Sequence, residues 1–321
     1  MARFSYEEHP NYLVKEPKLL YIDRFGNIYP DCKTYKTPII CHITDDDALS
    51  RINAAVFGCE AGGIFNMVTI EVSSFCQADC IYCFQRDEHR RDAYAYYDRL
   101  MPLLRQLNTY WLFFSGGEIL VQQDAMDFMR AYRASCPDTW IHLKTNGNAD
   151  GQALEFVNDV CSSVMVSFNG FSQSSCRTIM GLDIRRTIHF CEALKEAGKV
   201  NLGLKLLQSP LTIAETPEFL DWALSLEAQC VAVQAAYNYE VEPSGKSTRL
   251  SCTLPLPGDS LYWRDAYAQI ARRCGAVLDK HADTINRGRN YLTADREVLA
   301  VLPLKGEHTA LFRTDGVYII E

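Results

Sequence analysis

Residues 76, 80 and 83 are cysteines, in the stretch "CQADCIYC", a C-x3-C-x2-C spacing with no fourth cysteine nearby. Thiolates are soft ligands that suit zinc or iron–sulfur clusters, and a structural zinc site closes its shell with four ligands. A four-iron, four-sulfur cluster also takes four thiolates, one per iron. If Cys76, Cys80 and Cys83 alone bind a cubane, one iron keeps an open corner for an outside ligand, as catalytic zinc keeps an open position. The competing reading is one zinc ion completed by His89, which would make the chain a folded binding module. Gln77, Asp79 and Gln85 in the same segment fit a loop around a polar centre better than a packed strand.

Such a loop needs a scaffold, and the sequence around it alternates. Short β-rich runs occur at "MVTIEVS" (67–73), "YWLFF" (110–114), "WIHLKT" (140–145), "SVMVSF" (163–168), "VNLGLKLL" (200–207) and "CVAVQAA" (230–236). Amphipathic stretches between them predict helices near 93–107, 122–135, 151–160, 184–197 and 215–227. Strands separated by helices predict a parallel sheet, whose chemistry sits on the loops after the strands. The polar motifs fall there: "SSFCQADC" after the first strand, "SGGE" after the second, "TNGN" after the third and "SFNG" after the fourth. A lone glycine after a strand is a turn former, but four such motifs in step with the strands indicate a site, which the zinc reading leaves unexplained. Glu71 and Lys205 project from the first and fifth strands, toward either cofactor and substrate or an internal ion pair. His142 and Met180 are read as structural. Tyr237, Asn238 and Tyr239 follow the sixth strand, which makes Tyr237 and Tyr239 candidate substrate contacts.

The cysteine spacing directly after a first strand, with Tyr82 just before the last cysteine, resembles the cluster loop of radical S-adenosylmethionine (radical SAM) enzymes. The resemblance covers about residues 67–240. It implies that the open iron takes the amino and carboxylate groups of S-adenosylmethionine, and that an electron from the 4Fe-4S cluster yields a 5'-deoxyadenosyl radical that removes hydrogen from a substrate. It further implies cofactor contacts from Tyr82, from Gly116, Gly117 and Glu118 of "SGGE", from Thr145 and Asn146 of "TNG", and from Ser167 and Asn169 of "SFNG". The stretch "NGFSQSSCRTIMG" and the helix opening "DIRRTIHF" resemble the subgroup of molybdopterin-pathway and peptide-modifying (SPASM-type) members. In that subgroup an arginine here meets the methionyl carboxylate; Arg177, Arg185 and Arg186 are candidates, Arg177 and Arg186 foremost. Two departures stand out. Glu118 is followed by Ile119 where the family usually has proline, and after residue 240 only Cys252 and Cys274 remain, so the seven-cysteine extension of the peptide-modifying relatives is missing. A smaller second cluster from Cys230, Cys252 and Cys274 lacks a C-x2-C pair, and packing is the preferred reading of all three.

The fold implied is α/β: a partial (β/α)6 TIM-like barrel at 67–240, with an N-terminal extension at 1–66 and a small α+β cap at 241–321. The extension holds a hairpin, "LLYIDRFGNIYP" turning at "RFGN", then the polar "TDDDALSR"; the cap holds a helix near 260–275 and strand candidates "EVLAVLPL" and "ALFRTDGVYII". With 48% hydrophobic and 22% charged residues the chain reads as an ordinary globule of 321 residues, and its formal charge of -8 argues against a phosphate-binding face for nucleic acid. Thirteen cysteines are too dilute for a disulfide scaffold; Cys32, Cys41, Cys59, Cys136, Cys161, Cys176 and Cys191 read as packed thiols. No apolar run reaches the length of a membrane span, and no signal peptide opens the chain, so the expectation is a cytoplasmic protein without membrane attachment. The expected enzyme has an oxidoreductase, isomerase or bond-forming outcome. Its expected partners are an electron donor such as flavodoxin or ferredoxin and, as substrate, a small molecule (sugar, nucleotide or other metabolite) rather than a ribosomally made peptide.

Overall fold

The computed structural model describes residues 18–30, 38–81, 83, 94–208, 212–235, 261–281, 298–303, 309–313 and 316–320. Six parallel strands form its centre: β4 (Phe65–Glu71), β5 (Thr109–Ser115), β6 (Trp140–Thr145), β7 (Ser163–Phe168), β8 (Asn201–Gln208) and β9 (Cys230–Ala235). Their spatial order is their chain order. Right-handed crossovers between successive neighbours place the connecting helices on one side, so among the described residues the other side is free of connecting helices. This is the α/β partial barrel expected from the sequence.

Period-two alternation separates the two sides. One parity is aliphatic and almost fully buried, as in Val68, Ile70, Leu112, Leu143, Val166 and Leu204. This is the face that packs beneath α2 (Tyr97–Gln106), α3 (Gln123–Ser135), α4 (Gly151–Val160), α6 (Ile184–Ala197) and α7 (Thr216–Ser225), whose buried sides are apolar in turn. The other parity carries Glu71, Trp111, Phe113, His142, Lys144, Ser163 and Lys205, several of which touch one another across the helix-free face. Helix boundaries follow their caps. Asp150 accepts a hydrogen bond from Ala153 N at 3.1 Å to open α4, and Asp183 accepts one from Arg185 N at 3.0 Å to open α6.

Three further strands extend the sheet beyond β4. The expected hairpin forms from β1 (Leu19–Ile22) and β2 (Asn27–Tyr29), followed by the two-residue β3 (Cys41–His42), in the order β3-β2-β1-β4. Strand β1 runs parallel to β4, with Tyr21 opposite Thr69. The turn is set by Asp23, whose carboxylate accepts from Phe25 N (3.0 Å), Asn27 N (2.9 Å) and Tyr29 Oη (3.1 Å). Gly26 there has φ +85°, the left-handed conformation that favours glycine. This turn aims Arg24 at Glu71: the guanidinium donates to one carboxylate oxygen at 2.9 Å and Tyr21 Oη to the other at 3.0 Å. Both charged side chains are buried. Glu71 is thus in an internal ion pair, with Arg24 as its partner.

Two helices were not anticipated. Helix α1 (Ala48–Phe57) starts inside the polar "TDDDALSR" run, and α5 (Gln173–Met180) is an eight-residue helix in "NGFSQSSCRTIMG". In the C-terminal region α8 (Leu261–Lys280) precedes an antiparallel sheet of β10 (Val298–Pro303), β11 (Thr309–Arg313) and β12 (Gly316–Ile320). The run "ALFRTDGVYII" is therefore two strands of a hairpin instead of one strand, as the Asp-Gly pair within it allows. Cys230 and Cys274 are buried free thiols, each pushed up to about 12 by burial; Cys252 lies outside the described residues.

Removing one partner of the Arg24–Glu71 pair leaves an uncompensated buried charge, which costs ~3–5 kcal/mol. Arg24→Ala is expected to lower unfolding free energy by about that much in urea titrations, and the double variant Arg24→Met, Glu71→Leu to restore most of the loss.

Candidate functional site

The cysteine loop leaves the end of β4 through Val72, Ser73 and Ser74, all fully buried. It runs beside the loop after β5 as a backbone pair: Val72 N donates to Ser115 O (3.1 Å), Gly117 N to Ser73 O (2.6 Å) and Glu118 N to Phe75 O (2.7 Å). Only glycine permits this approach. A Cβ on Gly116 would lie 2.3 Å from Ser73 O, and one on Gly117 would lie 2.0 Å from Phe75 O; Gly116 also has φ +126°. The far flank is held by the end of α5, where Asp79 N donates to Met180 O (2.8 Å) and Ile81 N to Ile179 O (2.9 Å). Helix α5 is anchored at its other end by Glu215, which accepts from the hydroxyls of Ser172 (2.7 Å) and Ser175 (2.8 Å). Two flanks thus fix the segment that carries Cys76 and Cys80.

Glu118 is buried and its carboxylate is saturated. It accepts from Thr145 Oγ1 (2.8 Å), Leu120 N (3.1 Å) and Asn146 N (2.7 Å). Burial raises its pKa above the ordinary carboxylate value, and these hydrogen bonds pull partly in the opposite direction. It staples the loop after β5 to the loop after β6. Thr145 is engaged in turn, accepting from Gly147 N at 2.9 Å. Asn146 continues the chain of contacts: its Oδ1 accepts from Gln77 Nε2 (3.3 Å) and Asn148 N (2.8 Å), and its Nδ2 donates toward Cys76 Sγ at 3.9 Å. Gln77 also donates to Asn148 O at 3.2 Å. Gln77 thus sits at the polar centre expected for the loop, while Ser73 and Asn148 are supporting residues that spacing alone did not single out, although both lie in quoted motifs.

The other sequence candidates are placed as follows. Ser167 is half-buried on β7 beside Lys205 of β8, and Asn169 is buried just past the end of β7. Arg185 is tied to Asp183, with Nη2 2.6 Å and Nε 3.1 Å from its carboxylate, and this holds Asp183 down at about 2. Arg177 on α5 and Arg186 on α6 are both exposed. Tyr82, His89, Tyr237, Asn238 and Tyr239 lie outside the described residues. On the helix-free face His142 is structural. Its ring stacks at 4.9 Å on Phe113 and 5.9 Å on Trp111, and its Nδ1 hydrogen-bonds Ser163 Oγ at 2.7 Å. Burial, with Lys144 adding, lowers its pKa to about 3, so the ring is neutral at physiological pH. Trp140 Nε1 donates to the same hydroxyl at 2.8 Å, completing an aromatic floor.

The three thiols fit a cluster. Burial pushes Cys76 up to about 12, with the charges of Glu118 and Cys83 adding, so its thiolate needs a strong positive centre beside it. Ala78 N (3.4 Å) and Asn146 Nδ2 already offer that sulfur two donors. A cubane gives each thiolate an iron of its own, and Cys83 lies close enough to Cys76 for its charge to act on it.

Residues 70–223 match the family model described as the Radical SAM superfamily. The match covers a little under half of the chain. Members of that family use a 4Fe-4S cluster and S-adenosylmethionine. No curated protein matches the chain by sequence. Among solved structures it is similar to Streptococcus suis SuiB bound to the precursor peptide SuiA, at 17% identity over 68% of this chain and 46% of that one, with a TM-score of 0.52. It is also similar to SuiB alone (15% identity, 75% and 53% coverage, TM-score 0.52) and to SuiB bound to S-adenosylmethionine (14%, 84% and 70%, TM-score 0.53). At these identities the likeness is one of fold. The chain spans about half the length of the first two. Among the described residues no helix is long and apolar enough to cross a membrane.

The glycine contacts generate a direct test. Gly117→Ala is expected to displace Phe75 and the cysteine next to it, giving a chain that is helical by circular dichroism yet retains little iron after anaerobic reconstitution. Gly151→Ala, whose new Cβ meets nothing within 4 Å, is expected to keep full iron content.

Proposed function

We propose that this chain is a radical SAM enzyme that abstracts hydrogen from a small molecule bound on the helix-free face of its barrel. The observation that carries the reading is the loop of Cys76, Cys80 and Cys83, pinned by the Gly116–Glu118 strap on one flank and by α5 on the other, with Asn146 reaching the first thiol. Cys76, Cys80 and Cys83 would hold the cluster. When bound, the cluster and S-adenosylmethionine supply the one-electron cleavage that starts the chemistry. The chain's own residues keep the loop rigid: Glu118 locks Thr145 and Asn146, and Asn146 donates toward Cys76. Ser167, Asn169, Arg177, Arg186 and Tyr82 would meet the polar groups of the cofactor. Tyr237 and Tyr239 would meet substrate, and a flavodoxin or ferredoxin would deliver the electron in a cytoplasmic setting.

The small-molecule assignment rests on the aromatic floor that Trp111, Trp140, Phe113 and His142 form on this face. A peptide substrate is the second reading. It is favoured by the precursor peptide named for SuiB, a protein of the same fold.

The test is anaerobic reconstitution followed by incubation with reductant and S-adenosylmethionine. About four irons with matching sulfide and formation of 5'-deoxyadenosine are expected from the native chain, and neither from the variant with Cys76, Cys80 and Cys83 all replaced by Ala. Retention of both by that variant, or one zinc without sulfide in the native chain, would overturn the proposal. Mass spectrometry of reactions with metabolite pools and with peptides encoded by neighbouring genes then separates the two substrate readings.

A further inference from the structure

The helix-free face holds a cation that the loop chemistry does not use. Lys205 lies in β8, opposite Ser167 of β7 and Ala232 of β9. Its neighbours in the strand, Leu204 and Leu206, belong to the buried aliphatic parity, so Lys205 faces away from the helices. The residues around its stem are small. Beneath it Gly203 leaves a space filled by the thioether of Met165, where a Cβ would meet Met165 Cε at 2.9 Å. In register Lys205 stands between Ser167 and Ala232, with the Gly203–Met165 pair two residues before it on the same face.

Its electrostatic setting is one-sided. Among the described residues no carboxylate pairs with Lys205, whose side chain takes part in no ion pair or hydrogen bond. Glu71, the acidic side chain of the same face, is already matched by Arg24 and Tyr21. His142 is neutral. Lys144 of β6, placed 4.8 Å from the centre of the Phe113 ring, adds a second positive charge, and together with burial it lowers Lys205 to about 8. A desolvated cation without a counter-charge is costly to keep, and a bound anion removes that cost.

We propose that Lys205 is the specificity residue of the substrate site and pairs with a carboxylate or phosphate of the substrate, Ser167 lying beside it and Lys144 reinforcing the field. This deepens the small-molecule reading above and rests on it: the substrate is an anionic metabolite held by its charged end.

The test uses the native chain, Lys205→Met, Lys205→Gln and Lys205→Arg, with inorganic phosphate and succinate as probes in calorimetric titrations at pH 7, before and after cluster reconstitution. Saturable binding of one probe to the native chain is expected, weakened about tenfold or more in Lys205→Met and Lys205→Gln and recovered in Lys205→Arg. Phosphate binding alone marks a phosphorylated substrate, and succinate binding alone a carboxylate. Affinity for S-adenosylmethionine is expected to be unchanged in Lys205→Met, and its melting temperature to rise. No saturable binding of either probe to the native chain, equal binding by Lys205→Met, or loss of S-adenosylmethionine affinity in that variant would overturn the inference. A chain that takes up no iron but binds a probe through Lys205 would sink the enzyme reading and leave the anion site standing.

Discussion

The site depends on one close approach, the backbone of residues 73–75 lying against that of residues 116–118. Two hydrogen bonds, at 2.6 and 2.7 Å, and two positions where no side chain fits make the cysteine loop an extension of the sheet. A thiolate cluster needs its ligands at fixed mutual positions, and a loop of eight residues left to itself would have to give up its conformational entropy when metal binds. Here much of that ordering is supplied by neighbours, with β5 on one side and α5 on the other. The glycines of "SGGE" therefore have a packing role that precedes any contact with a cofactor.

Charge is managed in three different ways around this framework. Glu71 is neutralised by an arginine brought in from the N-terminal hairpin, and Glu118 is held by three hydrogen-bond donors without any cation. Lys205 has neither arrangement. The contrast gives the helix-free face its polarity: the acids near the cysteine loop are spoken for, and the positive groups farther round the barrel are what a ligand meets. Placing the hairpin beside β4 also makes the N-terminal strands part of the same sheet as the barrel, which ties the fold of residues 18–30 to the strand that leads into the cysteine loop.

Much of this was legible in the sequence, for reasons visible in single elements. Strands β6 and β7 and helices α4 and α6 have the boundaries expected, because their alternation is clean and α4 and α6 begin at an Asp cap. Helix α1 was hidden because it begins in a run of acids and its buried side is only Ala48, Ile52 and Asn53; α5 was hidden because eight residues rich in Ser give barely two turns of pattern. The cysteines and polar strand ends were readable from local spacing. Their supports were not: Glu118 meets Asn146 across 28 residues and Arg24 meets Glu71 across 47, and pairings of that separation exist only once the sheet is assembled. Lys205 could be marked as facing inward from strand parity, but its lack of a counter-charge depends on where Arg24 goes.

Strand parity also divides the labour of change. Residues 165, 203 and 232 face the interior, while the cysteine loop hangs from backbone contacts at the strand ends and from Glu118. Altering the bulk of those interior positions would reshape what the barrel accepts without disturbing the apparatus that holds the thiols, so a lineage built on this scaffold has a route to new reactants that leaves its chemistry intact.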